Sequence, residues 1–155
     1  SNMDSAAMAQ RCPKARVMGL ARLPRHRFFI MSDGYASVRR DPRRSVLGVL
    51  WDVPLSDMPA LDRYESLHTG LYSKISQPVI IDQAATGSGL VKATSKRALL
   101  YVGRSDKAGK PKAGYLEMVL SAARAQGLPD GYLYELEHGE PAPRKAGDPL
   151  FKAPM

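Results

Sequence analysis

A carboxylate occupies an unusual position at the end of one short predicted helix. Residues 56–65 (SDMPALDRYE) predict a helix, because a serine and an aspartate can cap its start and its proline falls in the first turn. Met58, Leu61 and Tyr64 form the apolar stripe of this helix. Glu65 follows Leu61 by four residues, so it projects from the same core-facing stripe at the C-terminal end.

A carboxylate in that position is suited to proton transfer. Burial and the negative end of the helix dipole both disfavour its charge and raise its pKa toward neutrality. Near neutrality a carboxylate can both accept and donate a proton. The spacing leaves an alternative open, in which Glu65 turns into solvent or pairs with Arg63 or His68, and helical periodicity does not decide between the two.

Length and composition exclude several classes of protein. The 155 residues, 44% of them hydrophobic, fit one compact domain. The single cysteine, Cys12, excludes an internal disulfide framework and is expected to be a buried structural residue. No apolar run reaches the roughly 18 residues of a membrane span, and no signal-peptide pattern is present. We therefore expect a cytoplasmic protein with no membrane partner.

The predicted strands lie too close together for repeated βαβ crossovers. Pro24-Arg25 and Asp41-Pro42 are expected to interrupt the early strands. The order predicts the α+β class, with a small mixed or antiparallel β-barrel and flanking helices. We predict a domain over 1–137 and a proline-rich C-terminal tail over 138–155. The predicted helices are 4–12, 56–65, 114–126 and 130–138, and the predicted strands are 15–23, 26–31, 35–38, 46–53, 72–81 and 91–102.

The residues around Glu65 belong to a longer series of motifs. Residues 61–65 (LDRYE) and 70–72 (GLY) have the form L-D-x-x-E…G-x-Y, and 46–51 (VLGVLW) has the form V-x-G-V-x-W. Upstream, residues 34–36 read GYA and the chain begins with SNM. In this order and spacing they resemble the signatures of γ-glutamylcyclotransferase-like (AIG2-like) proteins.

That resemblance implies a fold and a reaction. The fold is a small mixed β-barrel with flanking helices and a cavity at one end. The reaction is an amide-cleaving cyclotransfer, in which a γ-glutamyl amide or peptide cyclises to 5-oxoproline and releases its amine. Glu65 matches the family's catalytic acid/base, and the partner is then a small γ-glutamyl molecule. The resemblance implies no metal and no cofactor, and the three histidines show no metal-ligand spacing.

The resemblance also assigns substrate-binding residues. Ser1, Asn2 and Met3 match a loop whose backbone N–H groups hold the substrate's carbonyl and carboxylate, which suits an oxyanion. Tyr115 matches a tyrosine that lines the family's active site. Two further substrate-binding candidates in matching motifs are Gly34 and Tyr72. The alternative function is a non-catalytic module with the same barrel fold, which binds a small anion or has a regulatory role.

The family pattern places a strand and a Tyr-Gly pair ahead of the Ser-Asn loop. We therefore expect a central strand of about five residues to precede Ser1. Alternatively, Met3 is a start residue preceded by two residues left by cloning. In either case we expect the barrel to be open at that position, or patched by the proline-rich tail or a neighbouring chain. A homodimer is left open by the sequence.

The formal net charge of +8 comes from 23 basic and 15 acidic residues, with a cluster of basic residues early in the chain. One interpretation is a nucleic-acid patch. A second is a solvated, charged sheet edge, and a third places one arginine near the pocket mouth to attract an anionic substrate. We favour the solvated surface and expect no nucleic-acid partner. The cluster is Arg22, Arg25, His26, Arg27, Arg39, Arg40, Arg43 and Arg44.

Overall fold

The chain folds as a four-stranded antiparallel sheet flanked by helices, in the α+β class. The structure is a computed structural model that describes residues 1–65, 69–84 and 91–143. Two long hairpins, β1–β2 and β3–β4, form the sheet in the order β2-β1-β3-β4. The elements are α1 (Ser5–Arg11), β1 (Arg16–Ile30), β2 (Ala36–Asp52), α2 (Met58–Tyr64), β3 (Tyr72–Ala84), β4 (Val91–Gly103), α3 (Tyr115–Ala125) and α4 (Asp130–His138).

The helices lie where periodicity predicts them, but the expected side-chain cap of α2 is wrong, because Asp57 accepts no hydrogen bond from its own helix and binds the Lys14 N–H instead. The carboxylate of Asp4 caps α1 by accepting a hydrogen bond from the Ala7 N–H at 3.1 Å. Helix α3 buries Val119, Ala122 and Ala123 on its apolar face. Within the described residues, none of the helices combines the length and apolar character needed to cross a membrane.

The predicted breaks at the two prolines are wrong, because both early strands continue through them. Pro24 pairs with Ser45 and His26 pairs with Arg40, which leaves Arg25 opposite the looped-out residues 41–44. Arg25 has a φ of 58°, in the left-handed region. A bulge absorbs residues that cannot complete the ladder, so proline bends the hairpin here without ending it.

The sheet is open, so the word barrel describes it only loosely. Strands β1 and β3 are joined by one pairing, Arg22 with Ile80, and the described parts of β2 and β4 form no ladder with each other. The two outer strands approach at one end, where the Gly103 N–H donates to Ser37 Oγ at 2.9 Å. Met31 packs so closely over Gly103 that a Cβ there would collide with its sulfur. Side-chain contacts therefore replace a backbone ladder.

Helices α1 and α2 share one core with the sheet. Its buried members are Met8, Cys12 and Leu61, and the side chains of Trp51 and Tyr101 pack against them. Cys12 is a free buried thiol, as expected, and its burial raises its pKa. This core holds the C-terminal part of α1 beside α2. A separate core lies under α3 and α4, with Ala123, Leu128, Tyr132, Leu133 and Leu136 as its buried members.

Two arginines of the basic cluster hold the end of α4 instead of facing solvent. Arg27 and Arg44 both donate to the carbonyl of Gly139, at 2.9 and 3.1 Å. Arg44 also pairs with Glu135 at 3.3 Å and with Glu140. The solvated interpretation is therefore wrong for these two, because the C-terminal end of a helix attracts cations. Of the predicted tail, residues 144–155 lie outside the described residues, as does His68.

Candidate functional site

A cavity of about 910 Å³ lies among the sheet, α1, α2 and α3. Its volume falls in the upper part of the range for small-molecule sites, about 300–1,000 Å³. Apolar side chains of the sheet, such as Leu23, Val79 and Leu100, form much of its wall. Polar residues also line it. They are Ser1, Asn2, Tyr35, Asp52, Tyr64, Glu65, Tyr72, Lys96, Arg97, Tyr101 and Tyr115.

Helix α2 is fixed at its start by contacts with the end of α1. The Asp57 carboxylate accepts a hydrogen bond from the Lys14 N–H at 3.0 Å, and the Cys12 thiol donates to the Asp57 carbonyl at 3.7 Å. Leu61 anchors the helix in the core. The Glu65 N–H donates to the Leu61 carbonyl at 3.0 Å, so Glu65 sits directly on the last turn. The position of its side chain is thus set by the packing of α2.

Glu65 is held through one of its two carboxylate oxygens. The side-chain amide of Asn2 donates to Oε1, and Arg11 in turn donates from Nη1 to Asn2 Oδ1 at 2.9 Å. Among residues 1–65, 69–84 and 91–143, Oε2 has no hydrogen-bond partner. Since Glu65 lines the cavity, this second oxygen is the one available to a bound molecule.

Burial raises the pKa of Glu65 above its ordinary value, the direction expected from the sequence. The hydrogen bond from Asn2 and the positive charges of Arg11 and the Ser1 amino group act in the opposite direction and are smaller effects. The alternative interpretation placed Glu65 in solvent or paired it with Arg63 or His68. Among the described residues its partner is Asn2 and not Arg63. The result is a half-buried carboxyl group whose proton is less easily lost than usual.

Two tyrosines bind the backbone of one residue of β2, one at its carbonyl and the other at its N–H. The Tyr72 hydroxyl donates to the Ala36 carbonyl at 2.8 Å, and the Ala36 N–H donates to the Tyr115 hydroxyl at 3.2 Å. The ring of Tyr35 meets that of Tyr115 edge to face, with centroids 5.4 Å apart. The Tyr72 proton is thus used internally, whereas the Tyr115 proton remains available to a ligand.

Both hydroxyls stay protonated across the neutral range. Burial is the largest cause that raises the pKa of Tyr72 and of Tyr115, and the nearby charge of Glu65 raises both further. Glu65 and both tyrosines line the same cavity. The cavity therefore combines one carboxyl group of raised pKa with neutral hydroxyl groups.

A second carboxylate on α2 faces a different environment. Asp62 accepts a hydrogen bond from the Tyr101 hydroxyl at 2.6 Å and pairs with Lys74 at 2.9 Å. The hydrogen bond from Tyr101 is the largest cause that lowers the pKa of Asp62. These contacts tie α2 to β3 and β4.

Five of the seven residues proposed for the site line the cavity. They are Ser1, Asn2, Glu65, Tyr72 and Tyr115.

The other two, Met3 and Gly34, are not among its lining residues. Met3 packs against the core of α3 and α4, and its N–H donates to Ser1 Oγ at 3.1 Å. Gly34 forms a turn at a φ of 92° and lies against the backbone and side chain of Lys112. Their positions reflect packing and turn geometry.

Sequence reasoning missed three residues of the site. Tyr35 and Tyr64 line the cavity although they lie within motifs that had been quoted for other residues. Arg11 bridges two elements, because its guanidinium also lies 3.3 Å from the centroid of the Tyr64 ring. Nothing in the spacing of α1 indicates that contact. In the part of the chain that the structure describes, no group of three or more His, Cys, Asp or Glu residues is placed to bind a metal.

Comparisons with known proteins give a family and a fold. The model of the AIG2-like family matches residues 45–136. A solved structure named gamma-glutamyl cyclotransferase is 25% identical, with a TM-score of 0.70, covering 94% of this chain and 86% of that one. An uncharacterized protein from Homo sapiens is 26% identical with the same TM-score and coverage.

A third solved structure, YkqA from Bacillus subtilis, supports the fold alone. It is 19% identical with a TM-score of 0.61, and the match covers 88% of this chain but 50% of that one. No curated protein matches the sequence.

Proposed function

We propose that this chain, which belongs to the AIG2-like family, cyclises a γ-glutamyl amide or peptide to 5-oxoproline and releases the amine. One observation carries the proposal. Glu65 is half-buried at a cavity, its pKa is raised by burial, one carboxylate oxygen is held by Asn2, and the other has no hydrogen-bond partner among the described residues. The similarity to a protein named gamma-glutamyl cyclotransferase supports the same reaction class.

Glu65 carries the proton in this mechanism. The α-amine of the substrate attacks its own γ-carbonyl carbon, and Oε2 of Glu65 takes a proton from that amine. The same proton then passes to the nitrogen of the leaving amine, the C–N bond breaks, and the ring closes as 5-oxoproline. A carboxyl group whose pKa is raised can take and return a proton in turn, so Glu65 serves both steps. No water is consumed, since the nucleophile belongs to the substrate.

The remaining polar groups orient the substrate. The Tyr115 hydroxyl has a free proton and donates to the developing oxyanion, whereas the Tyr72 hydroxyl can only accept and faces the substrate's amine. In the Ser-Asn loop, the N–H of Asn2 is without a hydrogen bond among the described residues, so it is a second donor. The N–H groups of Met3 and Asp4 are already bound to Ser1.

The test is production of 5-oxoproline from γ-glutamyl dipeptides and γ-glutamyl amines. Glu65→Gln keeps the size of the side chain and an acceptor for Asn2 but removes the exchangeable proton. We expect kcat/KM to fall by about 10²- to 10⁴-fold. The matched control is Glu137→Gln, the same change at an exposed position of α4, which should leave kcat/KM unchanged.

Two results would contradict the proposal. Wild-type rates in Glu65→Gln would exclude Glu65 as the acid/base. If no γ-glutamyl substrate released 5-oxoproline while a small anion bound saturably at the cavity, the protein would be a binding module on this fold.

A further inference from the structure

Arg11 and Glu65 are connected through a single amide group. Arg11 is the last residue of α1, and its guanidinium donates to Asn2 Oδ1 at 2.9 Å while lying over the Tyr64 ring. The other end of the Asn2 amide donates to Glu65 Oε1. Arg11 therefore contacts the residue that holds Glu65 and the residue that precedes it, and no direct contact between Arg11 and Glu65 is observed in the described residues.

The chemistry of these groups allows one orientation of the Asn2 amide. A guanidinium only donates hydrogen bonds, so it must face the amide oxygen, and an ionised carboxylate only accepts, so it must face the amide NH₂. Turning the amide over would set donor against donor at Arg11 and acceptor against acceptor at Glu65. The stacking of Arg11 on Tyr64 restricts the guanidinium itself, since the negative face of an aromatic ring attracts a cation.

We propose that Arg11 is a positioning residue for Glu65: it fixes the orientation of the Asn2 amide, so that Oε1 stays an acceptor and proton exchange is confined to Oε2. A role of Arg11 in catalysis rests on the proposed function, whereas the hydrogen bonds that link Arg11, Asn2 and Glu65 do not depend on it. An arginine in direct contact would hold the carboxylate ionised through a salt bridge. With the amide between them, the charge of Arg11 has only a weak effect on Glu65. Arg11 still fixes the orientation of the Asn2 amide, which in turn determines the hydrogen bond to Oε1.

Other groups near Glu65 must be kept constant in any test. The charged or titratable groups facing it from the described residues are the Ser1 amino group, Arg11, Tyr64, Tyr72, Tyr101 and Tyr115. Burial raises the pKa of Tyr72, Tyr101 and Tyr115, so their hydroxyls remain neutral. Burial lowers the pKa of the Ser1 amino group, which is identical in every variant compared.

The experiment follows Glu65 directly by NMR, with ¹³C-labelled glutamate for its carboxyl carbon and ¹⁵N for the Asn2 side-chain amide. In the wild type, both signals should titrate together. Arg11→Met should raise the Glu65 pKa by about half a unit, below the 1–3 units of a direct partner, and should uncouple the Asn2 amide signal from that titration. Arg11→Lys, which keeps a donor and the charge, should restore most of the coupling.

The matched control is Arg63→Met, because Arg63 is an exposed arginine of α2 only two residues from Glu65. It should leave both signals unchanged. Where 5-oxoproline is formed, the acid limb of the kcat/KM profile should move upward in Arg11→Met by the same half unit, about a three-fold loss on that limb. The plateau above the pKa should change much less.

A double-mutant cycle separates positioning from charge alone. On an Asn2→Ala background, Arg11→Met should have little further effect on the Glu65 pKa, since the group that transmits the geometry is gone. Equal shifts with and without Asn2 would overturn the proposal, as would an Asn2 signal that still follows Glu65 in Arg11→Met. If this protein forms no 5-oxoproline, the proposed function is refuted. The NMR measurements would still decide whether Arg11 positions Glu65 through Asn2.

Discussion

Helix α2 carries two carboxylates three residues apart, and their surroundings shift their pKa values in opposite directions. Asp62 receives the Tyr101 hydroxyl and the Lys74 ammonium directly, so its pKa is lowered. Glu65 receives a neutral amide and is more deeply buried, so its pKa is raised. The difference lies in burial and in the partner: burial dominates at Glu65 and its amide partner only partly offsets it, whereas at Asp62 a hydroxyl and a cation outweigh a smaller effect of burial.

The contrast separates a structural carboxylate from one suited to chemistry. Asp62 ties α2 to two strands, whereas Glu65, at the end of the helix, lines the cavity. If this division is right, removing the charge of each should change stability with opposite sign. The predictions below test that division, beginning with the largest change in the free energy of unfolding.

The largest stability effect is expected for Asp62→Asn. The change removes the charge that strengthens the Tyr101 hydrogen bond and pairs with Lys74, and should cost about 1 to 2 kcal/mol near neutral pH. Because the pKa of Asp62 is lowered, its stabilisation is complete above its ordinary value of 3.8 and is lost as pH falls through the folded-state pKa. Denaturant unfolding across this range should show the two proteins converging in acid.

Activity gives the second measurement on Asp62→Asn. The variant should form 5-oxoproline at nearly the wild-type rate at a temperature where it is folded. A large loss of kcat at neutral pH, with an intact fold by circular dichroism, would place Asp62 in the chemistry and remove the contrast.

Glu65→Gln should have a smaller effect of the opposite sign, making the folded protein more stable at neutral pH. Since the pKa of Glu65 is raised, the wild type loses stability as pH rises from the ordinary value of 4.5 through the folded-state pKa. Glutamine carries no such penalty, so its advantage should be absent in acid and complete above the folded-state pKa. Thermal unfolding from pH 4 to pH 8 measures it, with Glu137→Gln as the control. A variant less stable than the wild type at neutral pH would show that Glu65 is a structural anchor.

Lys74→Met should have the smallest effect. The Lys74–Asp62 pair is about 30% exposed on both sides, with side-chain exposures of 29% and 31%. Such pairs contribute about 0.2 to 1 kcal/mol, and salt screens them. The loss should therefore shrink in high salt, while the pKa of Asp62, which is set mainly by Tyr101, stays low. A loss equal to that of Asp62→Asn would show that the ion pair and not the hydroxyl holds α2.

Some residues of the candidate site could be named from the sequence around them, and others could not. The position of Glu65 followed from its spacing to Leu61, and the assignment of Tyr72 and Tyr115 followed from the resemblance, so all three were named from the sequence. Asn2 was predicted to bind substrate through its backbone N–H, and in the structure its side-chain amide also donates a hydrogen bond to Glu65. The role of Arg11 was missed. The residue lies at the C-terminal end of α1 and contacts the side chain of Asn2, and helical periodicity does not predict such a contact.

The fold divides in the same way. Helical periodicity is a property of neighbouring residues, so the helix bounds and the position of Glu65 on α2 were determined by the sequence alone. Whether the sheet closes depends on how two hairpins meet, through one pairing of Arg22 with Ile80 and the contact of Ser37 with Gly103. The partner of Glu65 lies 63 residues away along the chain. Only tertiary packing decided these features, because side chains so far apart in sequence come within hydrogen-bonding distance only after the elements between them have packed.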